Sequence, residues 1–295
     1  IISGEFSDKI IKETKEDPNK LFDYVSYQFY QLIKGSLEND DYNIKPISFK
    51  KTIGKKNPMW NHNQQDSQEF FSFLINCLEE EIGDKITFIP GRKLKLPSKD
   101  TSNLKNDILN ISAQKAWESF IKNEFSPLKL IFTGMEYSKQ ECEFCKSISS
   151  SFQIFKTLQL SIPINKSENY LKQTNDEYDL EECLDLLVED ETLEFNNRLT
   201  CGLCGRKNKA TKSISIYKPP KILVIHLKRF IRNDYGILTR KLTNYIKYPI
   251  LNLDISDYIT ENSPFKNDCK YNLFGVNKHY EIGGFGNINA GHYTS

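Results

Sequence analysis

The sequence lacks any apolar run that approaches the roughly 20 residues of a membrane-spanning helix, which excludes a membrane span. It also lacks an excess of either charge, because 40 Lys and Arg against 39 Asp and Glu leave a formal net charge of +1. Proteins that bind nucleic acid through their general charge are strongly basic, so we expect no nucleic-acid partner. Aromatic residues make up 12% of the 295 positions, which is too many for a disordered chain.

Cysteine is too sparse for a disulfide scaffold, since the chain has seven, an odd number. Four of them form two C-x-x-C pairs, Cys142/Cys145 and Cys201/Cys204, with 55 residues between the pairs. Two sulfurs of one tight turn can face the same ion, and two such turns complete a closed tetrahedral zinc site. The alternatives are two unrelated turns or a redox C-x-x-C. We predict structural zinc and an intracellular, reducing location in the cytoplasm or nucleus.

Three segments in the first half of the chain have the apolar spacing of a helix. They cover residues 21–33, 66–82 and 108–125. Asp66 is placed to cap the second segment, and Glu69 follows three residues later, as in a capping box. Cys77 falls on the apolar face of that helix, so we predict that it is a core residue.

Later segments are short and rich in β-branched or aromatic residues, which predicts strands. They cover residues 128–137, 149–162, 214–217, 222–230, 242–248 and 271–278. Helices first and strands afterwards are typical of an α+β fold with an antiparallel sheet.

Several separated segments resemble motifs of the ubiquitin-specific proteases, and they occur in that family's order. They are QQDSQEF at 64–70, F-x-G at 132–134 with the first cysteine pair, the second cysteine pair followed by PPKILVIHLKRF at 219–230, YNLFGVNKH at 271–279 and GHYT at 291–294. Any one of these would be weak evidence. Together they extend over most of the chain, which is therefore identified as a member of the family.

The resemblance implies a papain-like α+β fold shaped as a hand with three parts. A helical thumb would comprise residues 1–125, and antiparallel fingers with a zinc ribbon would comprise 126–218. A β palm would run from 219 to 295. Ubiquitin's globular body would rest on the fingers, with its C-terminal tail between thumb and palm.

The resemblance also implies that the nucleophile lies outside this sequence. The family's cysteine box precedes the helix at 21–33, whereas no cysteine precedes Cys77. The chain begins at Ile1 and ends three residues after His292. We therefore expect a fragment that lacks the nucleophilic cysteine and the third catalytic group, and that is inert by itself.

His292 is the candidate general base. Thiol catalysis needs an imidazole within hydrogen-bond reach of the sulfur, because the thiolate is the nucleophile. A packed or surface histidine is the alternative, but the GHYT context favours catalysis. His279 is a candidate for lining the edge of the site, with a surface loop position as its alternative.

Three more residues are candidates for substrate binding on the strength of the resemblance. Asp66 would contact the basic tail of ubiquitin as well as capping its helix. Gln65 is a weaker candidate for the same tail or for the oxyanion side. Phe230 would either form a wall of the tail channel or belong to the core.

The function implied is a thiol-dependent deubiquitinase that cleaves isopeptide and peptide bonds after ubiquitin's last glycine. The alternative is a catalytically inactive relative that binds ubiquitin as a scaffold. A zinc-ribbon nucleic-acid module is disfavoured by the near-zero net charge. The expected partners are ubiquitin and ubiquitinated proteins, and we expect the chain to be a monomer.

Overall fold

A computed structural model describes residues 8–38, 44–61, 64–84, 104–122, 125–163, 177–232, 238–267, 269–281 and 291–295. By its internal contacts the chain divides into two compact units. The first unit comprises Ile1–Lys93, Ile121–Leu130 and Asn277–Thr294, and the second comprises Leu94–Phe120, Ile131–Val276 and Ser295. The two last strands of the chain thus belong with the N-terminal helices.

The helices of the described ranges lie mainly in the first half of the chain. They are α1 (Asp8–Glu16), α2 (Val25–Glu38), α3 (Ile47–Lys56), α4 (Ser67–Ile82), α5 (Leu104–Ile121), α6 (Pro127–Phe132) and α7 (Leu180–Val188). None of these helices is long and apolar enough to cross a bilayer.

The strands follow from residue 134 onward. They are β1 (Gly134–Cys142), β2 (Ile148–Phe155), β3 (Leu158–Leu160), β4 (Tyr178–Asp179), β5 (Glu191–Leu193), β6 (Leu199–Thr200), β7 (Lys207–Asn208), β8 (Ala210–Lys218), β9 (Ile225–Leu227), β10 (Phe230–Arg232), β11 (Leu238–Lys241), β12 (Ile246–Lys247), β13 (Leu253–Asp254), β14 (Lys270–Tyr271), β15 (Lys278–Glu281) and β16 (Gly291–Thr294). The largest sheet among them has the order β2-β1-β8-β5 and is antiparallel throughout. The predicted α+β class is confirmed, although β3–β9 and β4–β12 pair in parallel.

The helix boundaries show where local signals outweigh apolar spacing. The predicted helix 66–82 is confirmed as α4. The predicted helix 21–33 starts later, at Val25, because Asp17 and Pro18 open a 3₁₀ turn over Pro18–Asp23. The strand predicted at 128–137 is wrong in its first half, which forms α6. Pro127 suits the first position of a helix, and the Ser126 hydroxyl accepts from the Lys129 N–H at 3.4 Å.

The first unit has a core beneath α2, α3 and α4. Its buried members are Val25, Ile53, Trp60, Cys77 and Leu78. Cys77 is 7% exposed, so its predicted place in the core is confirmed.

The second unit packs both faces of its central sheet. Met135 and Tyr217 lie on the α5 side of the sheet with Ala113, and the Tyr217 hydroxyl donates to Asn110 Oδ1 at 2.7 Å. Lys218 Nζ lies 3.2 Å from the centroid of the Trp117 ring, and burial lowers the pKa of Lys218 to about 8. A larger apolar cluster includes Leu158, Leu160, Cys183, Leu184, Ile216, Ile255 and Ile259.

A buried carboxylate joins three helices of the first unit. Glu81, near the end of α4, accepts from the N–H groups of Val25 at 3.1 Å and Ser26 at 2.7 Å. These are free donors of the first turn of α2, so Glu81 caps that helix from a distance. Lys56, the last residue of α3, lies 3.2 Å from the same carboxylate.

We predict that Glu81→Ala lowers the free energy of unfolding by about 2–4 kcal/mol, because it leaves buried N–H groups unpaired and removes the partner of Lys56. Denaturant unfolding measures this loss. Glu80→Ala is the matched control, since Glu80 is exposed on the same helix, and it should change stability by no more than about 0.5 kcal/mol. Equal effects of the two substitutions would contradict the capping role.

Candidate functional site

The two cysteine pairs fold into turns of the same geometry. In the first turn Cys142 N donates to Ser147 O, and Lys146 N donates to Cys142 O, both at 2.9 Å. The second turn repeats both bonds at the same length, from Cys201 N to Arg206 O and from Gly205 N to Cys201 O. The fourth residue after the first cysteine has a positive φ in each turn, 55° at Lys146 and 68° at Gly205. The two turns are therefore matching knuckles.

The knuckles bring the four sulfurs together. All four Sγ atoms lie within 4.8 Å of one another, and Cys145 Sγ and Cys201 Sγ are 3.6 Å apart. Zinc–sulfur bonds of about 2.3 Å in a tetrahedron require sulfur–sulfur distances of about 3.8 Å. The cluster of Cys142, Cys145, Cys201 and Cys204 thus fits a tetrahedral metal ion in donor type and spacing.

Hydrogen bonds to Cys201 favour its thiolate, which is the form that ligates a metal. The backbone N–H of Cys204, then the Ser147 side chain, then the backbone N–H of Leu203 lower the pKa of Cys201 to about 6. Thiolates rather than thiols ligate metals. The geometry around Cys201 therefore stabilises negative charge on that sulfur, as a metal ligand requires.

The three remaining cysteines are buried away from this cluster. Burial is the main cause that raises the pKa of both Cys77 and Cys183 to about 11. Cys269 is 2% exposed, and its thiol donates to Lys266 O at 2.7 Å. A nucleophilic cysteine needs partial exposure and a lowered pKa, and none of these three has that environment.

His292 and His279 lie on the hairpin of β15 and β16. His292 pairs with Tyr280, and His279 pairs with Tyr293. Directly opposed residues share a face and successive residues alternate, so His292 and Tyr280 share one face of the hairpin and His279 and Tyr293 the other. The His279 and Tyr293 rings are in contact, with centroids 4.7 Å apart. His292 is exposed.

Asp66 links this hairpin to the start of α4. Its Oδ1 accepts from the N–H groups of Gln68 at 2.7 Å and Glu69 at 3.1 Å, so the predicted cap is confirmed. Its Oδ2 accepts from the Tyr293 hydroxyl at 3.2 Å. Burial, followed by the charge of Asp66, raises the pKa of Tyr293. The structure thus brings Asp66, a predicted substrate-binding residue, into contact with Tyr293, the neighbour of the predicted base His292.

Tyr293 did not stand out in the sequence as a site residue. The sequence feature that could have indicated Tyr293 is its position directly after His292, because a side chain that anchors β16 also fixes the position of its neighbour.

The two other predicted substrate-binding residues make different contacts. Gln65 Nε2 donates to Met59 O at 3.1 Å and so holds the segment before α4. Phe230 is half-buried in the second unit and pairs with Lys241 of β11.

The chain matches a known protein family over nearly its whole length. The model of the family described as "Ubiquitin carboxyl-terminal hydrolase" matches residues 4–295. "Ubiquitin carboxyl-terminal hydrolase 2" of Bos taurus is 32% identical over 266 residues, which are 90% of this chain and 39% of that protein. The Drosophila melanogaster protein "Ubiquitin carboxyl-terminal hydrolase Usp2" is 28% identical over 92% of this chain and 26% of its own length. The chain thus spans well under half the length of these relatives.

A solved structure shares the fold. It is described as the SAGA Ubp8/Sgf11/Sus1/Sgf73 DUB module bound to ubiquitin aldehyde. The likeness has a TM-score of 0.60 and 24% identity, and it covers 92% of this chain and 51% of that one. It supports the α+β architecture of the chain.

We predict that Tyr293→Phe lowers the free energy of unfolding by about 1 kcal/mol, because it removes one hydrogen bond to a carboxylate in a half-buried setting. Denaturant unfolding below pH 9 measures this, since the raised pKa keeps Tyr293 protonated there. Tyr280→Phe is the control, because Tyr280 is 52% exposed on the opposite face of the hairpin. A loss as large for Tyr280→Phe as for Tyr293→Phe would contradict the anchoring role.

Proposed function

Because the chain belongs to the ubiquitin carboxyl-terminal hydrolase family, we propose that the whole protein is a thiol-dependent deubiquitinase. It would cleave isopeptide and peptide bonds after the C-terminal glycine of ubiquitin. The observation that carries this proposal is the match of the family model to residues 4–295. The hydrogen bond from Tyr293 to Asp66 supports it, because it brings the GHYT motif next to the QQDSQEF motif within the first unit.

His292 would act as the general base and acid of the reaction. The cysteine sulfur attacks the carbonyl carbon of ubiquitin's last glycine as a thiolate, and the bond to the leaving amine breaks. The imidazolium that took the thiol proton returns it to that amine, and water then hydrolyses the thioester. We propose that the nucleophile lies upstream of Ile1, since four cysteines of this chain cluster and the other three are buried.

Asp66 would also contact the tail of ubiquitin. A carboxylate offers about four lone-pair sites, and the described contacts to Gln68, Glu69 and Tyr293 engage three of them. The remaining capacity suits a basic or N–H donor of the tail. His279 lines the same face of the hairpin as Tyr293, which supports its proposed place at the edge of the site.

Gln65 and Phe230 remain proposed substrate-binding residues. Gln65 uses its amide N–H₂ on Met59, which leaves its carbonyl oxygen as the group that would meet a substrate N–H. Phe230 presents a half-buried ring at the start of β10, which suits a channel wall.

The cysteine cluster would hold one structural zinc ion. Four sulfur donors and no additional described ligand in the group suit a closed, structural site. Cys142, Cys145, Cys201 and Cys204 would be its ligands, and reduced thiols imply a reducing, intracellular location.

The hand architecture and the partners are part of the same proposal. The thumb would comprise residues 1–125, the zinc-tipped fingers 126–218 and the palm 219–295. Ubiquitin and ubiquitinated proteins would be the partners, and this chain would be a monomer. The Ubp8 neighbour is described with Sgf11, Sus1 and Sgf73, so sedimentation of the whole protein is needed to test the monomer.

We predict that His292→Ala in the whole protein lowers turnover of a ubiquitin–fluorophore substrate roughly 10²–10⁴-fold, because it removes the proton-transfer group. Ubiquitin affinity should change little, since the base does not serve the remote binding surface. Unfolding in denaturant is the folding control, and an exposed His292 predicts a change within about 0.5 kcal/mol. Near-normal turnover would rule out His292 as the base.

We predict that the chain of 295 residues forms no covalent adduct with ubiquitin that carries a C-terminal thiol-reactive group. At pH 7 the buried thiols of Cys77 and Cys183 are protonated, because their pKa values are raised to about 11. Intact mass spectrometry gives the result, with unfolded chain and iodoacetamide as the positive control for thiol chemistry.

An adduct that maps to Cys77, Cys183 or Cys269 would overturn the upstream assignment. Extending the chain upstream should restore the reaction, and replacing the upstream cysteine with alanine should abolish it. If the extension contains no cysteine, the alternative of an inactive ubiquitin-binding scaffold replaces the enzyme.

A further inference from the structure

We propose that Ser147 and Asn208 are positioning residues that bridge the two knuckles across the sulfur cluster and thereby strengthen zinc binding. The inference rests on the proposed zinc site and concerns side chains that are not ligands. Each of the two polar side chains contacts one cysteine of each knuckle. Together they contact all four sulfurs once.

Ser147 provides the first bridge. Its Oγ lies 3.0 Å from Cys145 Sγ and 3.2 Å from Cys201 Sγ. The backbone carbonyl of Ser147 also accepts from Cys142 N, which fixes the residue at the end of the first knuckle. When the sulfurs are thiolates, the hydroxyl is the donor, and its single proton is shared between the two sulfurs.

Asn208, in β7, provides the second bridge. Its Nδ2 lies 4.0 Å from Cys142 Sγ and 3.8 Å from Cys204 Sγ. Asn208 lies in β7, where it pairs with Leu199 of β6, so the ladder that leads into the second knuckle holds it in place. An amide N–H₂ has two donor hydrogens, so each sulfur can accept its own hydrogen bond.

The charge of the site gives these contacts a function. Four thiolates around a divalent cation leave a net charge of −2, which the half-buried cluster must stabilise. Donors to the sulfurs spread that charge and also fix the direction of each ligand. Since each bridge joins both knuckles, it also holds the two halves of the site at ligand distance before the metal enters.

The test compares side chains of matched shape in the same chain. Ser147→Thr keeps the hydroxyl and adds a methyl group, whereas Ser147→Val has the shape of threonine with a methyl group in place of the hydroxyl. Asn208→Leu removes the amide at similar volume. Ser150→Val and Asn197→Leu are the controls, because both residues are exposed and neither is part of the described cluster.

Zinc affinity is measured by competition with a chromophoric chelator. We expect Ser147→Val and Asn208→Leu each to weaken it about 10–100-fold, and Ser147→Thr and both controls to remain within about threefold of the parent chain. Zinc release to excess chelator should be faster in the same two variants. The parent chain should bind one equivalent.

Cobalt(II) substitution provides a second readout that a purely structural role would not change. Removing a donor leaves more electron density on the sulfur, so the thiolate-to-cobalt charge-transfer band should move to lower energy. We expect this shift in Ser147→Val and Asn208→Leu but not in Ser147→Thr. A variant that unfolds without metal is still judged by its folded, cobalt-loaded form.

The outcomes separate this proposal from the function it rests on. Parent-like affinity and an unmoved band in both Ser147→Val and Asn208→Leu would overturn the bridges while leaving the zinc site intact. A parent chain that binds no zinc would overturn the bridges and the zinc site together. The proposed hydrolase activity is judged independently by His292→Ala.

Discussion

The candidate site depends on the hydrogen bonds that the carboxylate of Asp66 accepts. One oxygen satisfies two N–H groups at the start of α4, and the other accepts from Tyr293, 227 positions later in the chain. A helix terminus and a terminal hairpin are thereby held by a single charged group. Because Tyr293 is directly next to His292, the same contact restricts where the proposed base can lie. Asp66 thus stabilises the start of α4 and also holds the strand that carries the proposed base.

The parts of the fold that sequence could predict are those determined by local chemistry. The cap of α4 by Asp66 and the turn at each C-x-x-C pair depend on spacings of two or three residues. The strand expected at 128–137 failed for a local reason as well, because Ser126 and Pro127 begin a helix that the apolar run alone does not reveal. The Tyr293–Asp66 contact could not be predicted, since no local pattern relates residues so far apart.

The position with positive φ is occupied by glycine in one knuckle and by lysine in the other. Gly205 has a φ of 68°, which glycine adopts without a steric penalty. Lys146 occupies the equivalent position of the first knuckle with a φ of 55°, which costs a residue with a side chain about 1 kcal/mol or more. The hydrogen bonds from Cys142 and Lys146 offset that cost. The knuckle geometry therefore comes from its bonds as much as from glycine.

The seven cysteines demonstrate that surroundings rather than residue type determine thiol chemistry. Burial raises the pKa of Cys77 and Cys183 to about 11, whereas backbone N–H groups and Ser147 lower that of Cys201 to about 6. Because the pKa of each buried thiol is higher in the folded than in the unfolded chain, its contribution to stability is complete below pH 9, where the thiol is protonated in both states. That contribution declines as the pH rises from 9 through 11. A thiol with a lowered pKa and no metal would be reactive. Hydrogen bonds from Ser147 also lower the pKa of Cys145, and both Cys145 and Cys201 belong to the cluster of four sulfurs. The donors that lower the pKa of Cys201 and Cys145 would therefore stabilise the thiolates of the proposed metal ligands.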